Sequence, residues 1–270
     1  MGDGSLTYAV LISGQAPARL ADIAQALAAA RKVPFQDMMQ AVRRSWGIIE
    51  DGAAKPAAEA TVQALEKAGI KSVAVPSNLV EELPPAEPLA GAQFSPDGLF
   101  PVSKEGGAPR LVWQNLALVA AAGYKETEIR HIANPENPDM AKKLLKTGLL
   151  LMAGIPPGFG GAKKQPPKAV EVSDLVFVLD LVFKEPARRL RIDARHFDFS
   201  CLKERMRYDA LGNFKILLDD AARLAPLALL NRGAMVLLEK RPVREMGYEA
   251  LSDMERECRW LLTLEALKPR

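Results

Sequence analysis

A β-rich run at residues 176–183, a turn at Glu185-Pro186 and a second run at 189–194 constrain the fold most strongly. The second run alternates polar and apolar residues in strict period two, which is typical of a strand with one buried face. We therefore predict a hairpin here. The side chains predicted to face a core are Leu190, Ile192 and Ala194, and those predicted to face water are Arg189, Arg191 and Asp193.

The first 76 residues alternate between strand-like and helix-like patterns. Strand-like runs occur at residues 6–12, 47–49 and 70–75, and turn residues or a proline follow each of them. Apolar residues at helical spacing predict helices at 20–30, 35–46 and 55–68. The predicted order is a βααβαβ module over residues 1–76. The inward stripe predicted for its second helix is Phe35, Met38, Met39, Val42 and Trp46.

Residues 77–88 are rich in proline and glutamate and have no apolar period, which predicts an interdomain linker. Beyond it, a turn at 95–98 separates two short strands, and residues 111–123 have the pattern of a buried strand. Apolar stripes predict terminal helices at 214–225 and 251–262, with a more helix-like than strand-like stretch at 226–239. We predict an α+β chain whose second domain, residues 89–270, has an antiparallel sheet and terminal helices.

Three local features distinguish the first module: Tyr8-Ala9-Val10-Leu11-Ile12, the alanine-rich helix after Gly52, and the exit Leu65-Glu66-Lys67-Ala68-Gly69-Ile70. With these features the module resembles the C-terminal domain of the bacterial ribosomal stalk protein, whose fold the Clp-protease adaptor shares in outline. The stalk protein's lysine-rich factor-binding helix is not matched. The first two helices instead carry Arg19, Arg31, Lys32, Arg43 and Arg44, partly offset by Asp22 and Asp37. The resemblance implies the fold more than the function.

The strand Val178-Leu179-Asp180-Leu181-Val182-Phe183 is followed by Arg191-Ile192-Asp193 and then by helices. In this order the second domain looks similar to bacterial pleckstrin-homology-like domains. The resemblance covers about residues 89–225, with a lysine-bearing segment at 138–168 as an insertion. Three terminal helices exceed the one that such domains usually have.

The composition excludes several classes of protein. Of the 270 residues 49% are hydrophobic, which is enough to build cores without covalent cross-links. Only two cysteines occur, Cys201 and Cys258, and they form no C-x-x-C pair, which argues against a disulfide framework and a zinc ribbon. Residues 1–5 lack the charged start and apolar core of a signal peptide. We expect a soluble, cytoplasmic protein.

The net charge of +3 is unevenly distributed. Residues 138–168 contain a single acidic residue, Asp139, and six lysines, which are Lys142, Lys143, Lys146, Lys163, Lys164 and Lys168. Their leucine-rich part is too short to span a membrane. As a basic amphipathic element it can bind an anionic membrane surface or an acidic partner. The alternative is that its leucines pack on the domain and its lysines are solvated.

No catalytic, metal or cofactor site is predicted. The histidines, His131 and His196, have no second histidine or cysteine at metal-ligand spacing. Asp193, His196, Asp198, Ser200 and Cys201 include the residue types of a hydrolytic triad, but they are compressed into nine positions. The glycines and lysines of residues 154–164 fit neither the phosphate-loop nor the dinucleotide motif. We expect no small-molecule substrate, and sparse aromatics near the lysines give no reason to expect nucleic acid.

Two further local patterns have structural interpretations. Asn231-Arg232-Gly233 predicts a turn or the start of a helix, and Asp219-Asp220 is predicted to lie on the exposed side of a helix.

These features favour a non-enzymatic adaptor or scaffold that binds another protein. Its candidate binding residues are Arg43 and Arg44 of the first module and the six lysines of the insertion. The alternative is peripheral association with an anionic membrane through the insertion. An enzyme whose site is assembled from distant residues is left open.

Overall fold

The computed structural model describes residues 6–13, 19–102, 109–132 and 168–269, and for 127–132 and 168–173 the backbone alone. Helices and strands both contribute, so the predicted α+β class is confirmed. The chain divides into two compact units, one formed by residues 1–124 and 176–270 and the other by residues 125–175. No helix among the described residues is long and apolar enough to cross a membrane.

The first module has the predicted βααβαβ order. Its elements are β1 (Thr7–Ile12), α1 (Leu20–Arg31), α2 (Phe35–Arg43), β2 (Ile48–Ala54), α3 (Lys55–Lys67) and β3 (Ser72–Pro76). The strands form an antiparallel sheet in the order β2-β1-β3. Val10 and Ile12 pack against the three helices, while Ala9 and Leu11 lie in a separate cluster with Ile48. Burial of both faces explains why the four residues from Ala9 to Ile12 are all apolar.

The segment predicted to be a linker contains regular structure. A 3₁₀ turn spans Ser77–Leu79, and Val80 is buried in the same cluster as Ile48. A short strand, β4 (Ala86–Pro88), pairs in parallel with a strand of the second domain. A proline-containing segment can serve here because β4 lies at the edge of its sheet, where one side needs no N–H donors.

In its described residues, the second domain combines a small hairpin, a five-stranded sheet and three α-helices. The strands are β5 (Ala92–Ser95), β6 (Gly98–Pro101), β7 (Leu116–Ile132), β8 (Lys168–Phe183), β9 (Arg188–Asp193) and β10 (Leu229–Leu230). The helices are α4 (Ala210–Leu224), α5 (Arg232–Leu238) and α6 (Leu251–Ala266). The larger sheet has the order β10-β7-β8-β9-β4, and its two outermost strands join it in parallel. The β8–β9 hairpin is antiparallel, as predicted.

The two faces of this hairpin differ from the prediction in one respect. Leu190, Ile192 and Ala194 are buried, as predicted. Arg189 and Arg191 were predicted to face water, which is wrong, because both side chains converge on Asp180 of β8 and Glu255 of α6. Asp180 is fully buried and Arg189 is 4% exposed. Burial alone would raise the pKa of Glu255, but hydrogen bonds from the two arginines outweigh it and lower that pKa.

Helix α6 packs against both the first module and the second domain. Met254 and Cys258 lie in the core of the second domain. On another side of the helix, Trp260 packs in the cluster on the sheet of the first module and donates its indole N–H to the carbonyl of Ile12 at 2.8 Å. Arg256 donates to the carbonyl of Ile48 at 2.9 Å. The last helix therefore holds the first module against the second domain.

The two remaining local predictions have different outcomes. Asn231 is the N-cap of α5 and accepts a hydrogen bond from the amide of Ala234, which confirms the predicted helix start. Asp219 is exposed, as predicted. Asp220 is buried and forms ion pairs with Arg205 and Arg223, so its predicted exposure is wrong. A buried carboxylate at this position is stabilised by the charge of two guanidinium groups.

Candidate functional site

The outer face of α2 is an amphipathic surface that combines apolar and cationic side chains. Met38 and Val42 are buried in the core cluster that the three helices form with Val10 and Ile12 of β1. Phe35, Met39 and Arg43 recur every four residues, so they form one ridge along the helix. Phe35 is 46% exposed and Met39 is partly buried. The ridge therefore begins with an exposed aromatic ring and ends with an arginine.

The predicted inward stripe of this helix was too wide. Met38 and Val42 occupy the centre of the stripe and are buried, but Phe35 lies in the first turn of α2 and remains exposed. Trp46 lies beyond the end of the helix with a φ of 48° and packs against Tyr248 of the second domain, with ring centroids 4.6 Å apart. The apolar stripe shows which side of the helix is suited to burial. The neighbouring elements decide how many residues of the stripe are covered.

Arg43 and Arg44 supply the charge of this surface. Both side chains are exposed, and neither forms an ion pair within the part of the chain that the structure describes. The hairpin formed by α1 and α2 carries five basic residues against two acidic ones between positions 19 and 46. Its Arg31 forms an ion pair with Glu50 of β2. The remaining positive charge is thus available to an acidic partner.

The predicted lysine sites fall largely outside the described residues. Lys142, Lys143, Lys146, Lys163 and Lys164 all lie there. Lys168 is the first residue of β8, but its side chain is not described. The lysine-bearing insertion therefore remains a prediction from the sequence.

The triad-like cluster divides into two separate groups. Asp193 accepts hydrogen bonds from Arg195, and Nδ1 of His196 lies 3.2 Å from its carboxylate. Ser200 donates through its hydroxyl and its backbone N–H to Asp198, at 2.9 Å in both cases. The nucleophile and the imidazole thus have different carboxylate partners, and no proton relay connects them.

Cys201 shows no sign of activation as a nucleophile. Burial, together with the nearby charge of Asp198, raises the pKa of its thiol. His131 lies in β7, and its side chain is outside the described part. Among the described residues, no group of three or more histidine, cysteine or acidic side chains is placed to hold a metal ion.

A cleft of about 710 Å³ beside β5 was not predicted. One wall is formed by residues 91–95 with Val102, and the other by Asp198 and residues 200–205, which belong to the 3₁₀ segment Phe199–Arg205. The turn at residues 95–98 predicted the hairpin of the first wall. The second wall lies about a hundred positions further along the chain, and no local pattern connects the two.

Searches for related proteins found no matching family model, no matching curated protein and no matching solved structure. The resemblances to the stalk protein and to pleckstrin-homology-like domains therefore remain predictions.

Proposed function

We propose that this protein is a non-enzymatic, cytoplasmic adaptor that binds an acidic segment of another protein on the outer face of α2. The single observation that carries the proposal is the ridge Phe35–Met39–Arg43 with Arg44 beside it, in which apolar surface and positive charge are both exposed. Aromatic residues, methionine and arginine are the residue types enriched at protein interfaces.

The arrangement of the ridge defines the chemistry of the partner. Covering Phe35 and Met39 removes apolar surface from water, which favours association without specifying a charge. Arg43 and Arg44 prefer carboxylates, to which a guanidinium can form two parallel hydrogen bonds. A matching partner presents an apolar side chain flanked by aspartate or glutamate.

The triad-like residues give this proposal further support. The hydroxyl of Ser200 and the imidazole of His196 are bound to different carboxylates, so the residues that suggested hydrolysis serve local structure instead. Asp198 caps the 3₁₀ segment that follows it, and Asp193 anchors the turn after β9.

The charge of the ridge is testable by reversing it. We expect the double substitution Arg43→Glu and Arg44→Glu to weaken partner binding by about tenfold or more, because attraction to carboxylates becomes repulsion. Tagged full-length protein is cross-linked in its native cell, the retained partner is identified, and its affinity is then measured with purified components. Binding to the unsubstituted protein should also weaken as salt increases.

A matched control reverses the same number of charges elsewhere. Lys184 and Lys215 are exposed lysines of the second domain, and their replacement by glutamate should leave the affinity unchanged. Both double variants should unfold at the same denaturant concentration as the parent, since exposed substitutions change stability by about 0.5 kcal/mol or less. A partner retained equally by all three proteins would rule out the α2 face as the docking site.

Peripheral membrane binding is a second candidate, favoured by the six lysines and single acidic residue of 138–168. Each lysine near an anionic surface contributes at most about 1 kcal/mol. We expect the protein to sediment with phosphatidylserine-containing vesicles at low salt and to lose that binding when the six lysines are replaced by glutamine. Vesicles of neutral lipid provide the control. Absence of sedimentation at low salt would eliminate this candidate.

A further inference from the structure

Alternate residues of β5, Ala92 and Phe94, direct their main-chain N–H and C=O away from β6. Val102 N–H donates to the carbonyl of Gly91 at 2.8 Å, which sets the alternation of bonded and non-bonded pairs along the hairpin. In this register Gln93 bonds with Phe100, whereas the N–H and C=O of Phe94 point away from β6. Leu99, opposite Phe94, confirms the alternation, because it directs both of its own groups outward to Leu111.

The outer edge of β5 is occupied only at its beginning. There the N–H of Asp198 donates to the carbonyl of Ala90 at 2.7 Å, and Asp198 forms a parallel bridge with Gly91. The chain then turns into the 3₁₀ segment Phe199–Arg205, which is kinked at Lys203. Within the described part of the chain, nothing bonds to the N–H or C=O of Phe94.

Where the chain turns away from β5 after Asp198, it leaves the cleft between β5 and the 3₁₀ segment. Its volume of about 710 Å³ lies within the range of about 300–1,000 Å³ typical of ligand pockets. Phe94, Val102 and Leu202 give it apolar surface, and Val102 is 61% exposed. Its charged lining consists of two acidic residues, Asp198 and Glu204, and two basic residues, Lys203 and Arg205. A strand edge in a cleft that has both apolar and charged walls suits a ligand that is itself an extended main chain.

We propose that the cleft binds an extended peptide segment of a partner protein, which adds as a strand beside β5 and exchanges main-chain hydrogen bonds with Phe94. The site is independent of the α2 face, so failure of either proposal leaves the other standing. Asp198 pairs in parallel with Gly91 at the beginning of the outer edge of β5. The bound peptide would pair with the next part of this edge, at Phe94, where the protein's own chain has turned away.

The free protein provides the first test. Amide hydrogen exchange is measured by NMR on the dilute full-length chain. We expect the amide of Phe94 to exchange at least about tenfold faster than the amide of Gln93, which the register bonds to Phe100. Equal protection of the two amides would mean that the edge is already paired and would overturn the proposal.

The second test uses a peptide as the probe. A random peptide display library is selected on the full-length protein, and a selected peptide is synthesised and titrated. We expect its binding to slow exchange at Phe94. We also expect Phe94→Pro, which lacks the N–H, to bind up to about tenfold more weakly than Phe94→Ala, which keeps it. Because Phe94 N–H plays no part in the β5–β6 ladder, the proline leaves that ladder bonded.

The remaining outcomes are also decisive. A library that yields no binder, or peptides that bind without protecting Phe94, would overturn the proposal. Protection that appears only as the protein concentration rises would assign the edge to a second copy of this chain, which also overturns it. If Phe94→Pro fails to fold, the exchange measurement on the parent protein still decides.

Discussion

Replacing Asp180 with alanine is expected to lower the free energy of unfolding by about 3–5 kcal/mol. The Asp180 carboxylate is fully buried and lies 2.6 Å from Arg189 and 2.7 Å from Arg191. Its removal leaves the buried Arg189 and the largely buried Arg191 with Glu255 as their shared acidic partner. The loss is measured by urea unfolding monitored by circular dichroism.

Glu255 provides the matched control, because its side chain is 35% exposed and it belongs to the same cluster. Its replacement by glutamine should cost less, about 1 kcal/mol, since water screens a partly exposed ion pair. If Asp180→Ala also cost less than about 1 kcal/mol, other groups would be stabilising the charges of the two arginines in place of Asp180. The cluster would then not be the stabilising feature that its burial indicates.

Replacing Trp260 with alanine is expected to cost about 3 kcal/mol, at the lower end for a tryptophan because the side chain is only partly buried. The indole covers the sheet of the first module, and its contact with Gly47 is so close that a Cβ there would lie 2.3 Å from the ring. We expect the first module to become independent, so that urea unfolding shows two transitions. Amide exchange should accelerate in β1 before it does in β8.

Leu267 is a suitable control because it follows α6 directly and is 40% exposed. Its replacement by alanine should change stability by about 0.5 kcal/mol or less and leave a single transition. Unchanged exchange in β1 after the loss of Trp260 would show that α6 does not hold the first module in place.

Local patterns were sufficient for the elements themselves. The period of two over residues 189–194 predicted β9, and the helical stripe of α4 predicted its buried apolar residues, because the backbone geometry of a strand or helix repeats within a few positions. The N-cap at Asn231 was equally local, since the bond closes over three residues. For the candidate site, Arg43 and Arg44 could be predicted as exposed, whereas the ridge that includes Phe35 could not.

The sequence by itself determined the α+β class, the order of elements in the first module and most of the apolar side chains that form the cores. Only the tertiary structure decided that Arg189 is buried, that α6 covers the sheet of the first module, and that Phe94 lines a cleft with residues 200–205, where no other described residue bonds to its main chain. Each of these depends on contacts between segments far apart in the chain. A charge is buried or an edge left open according to what the rest of the fold places against it, and no periodicity within one segment contains that information.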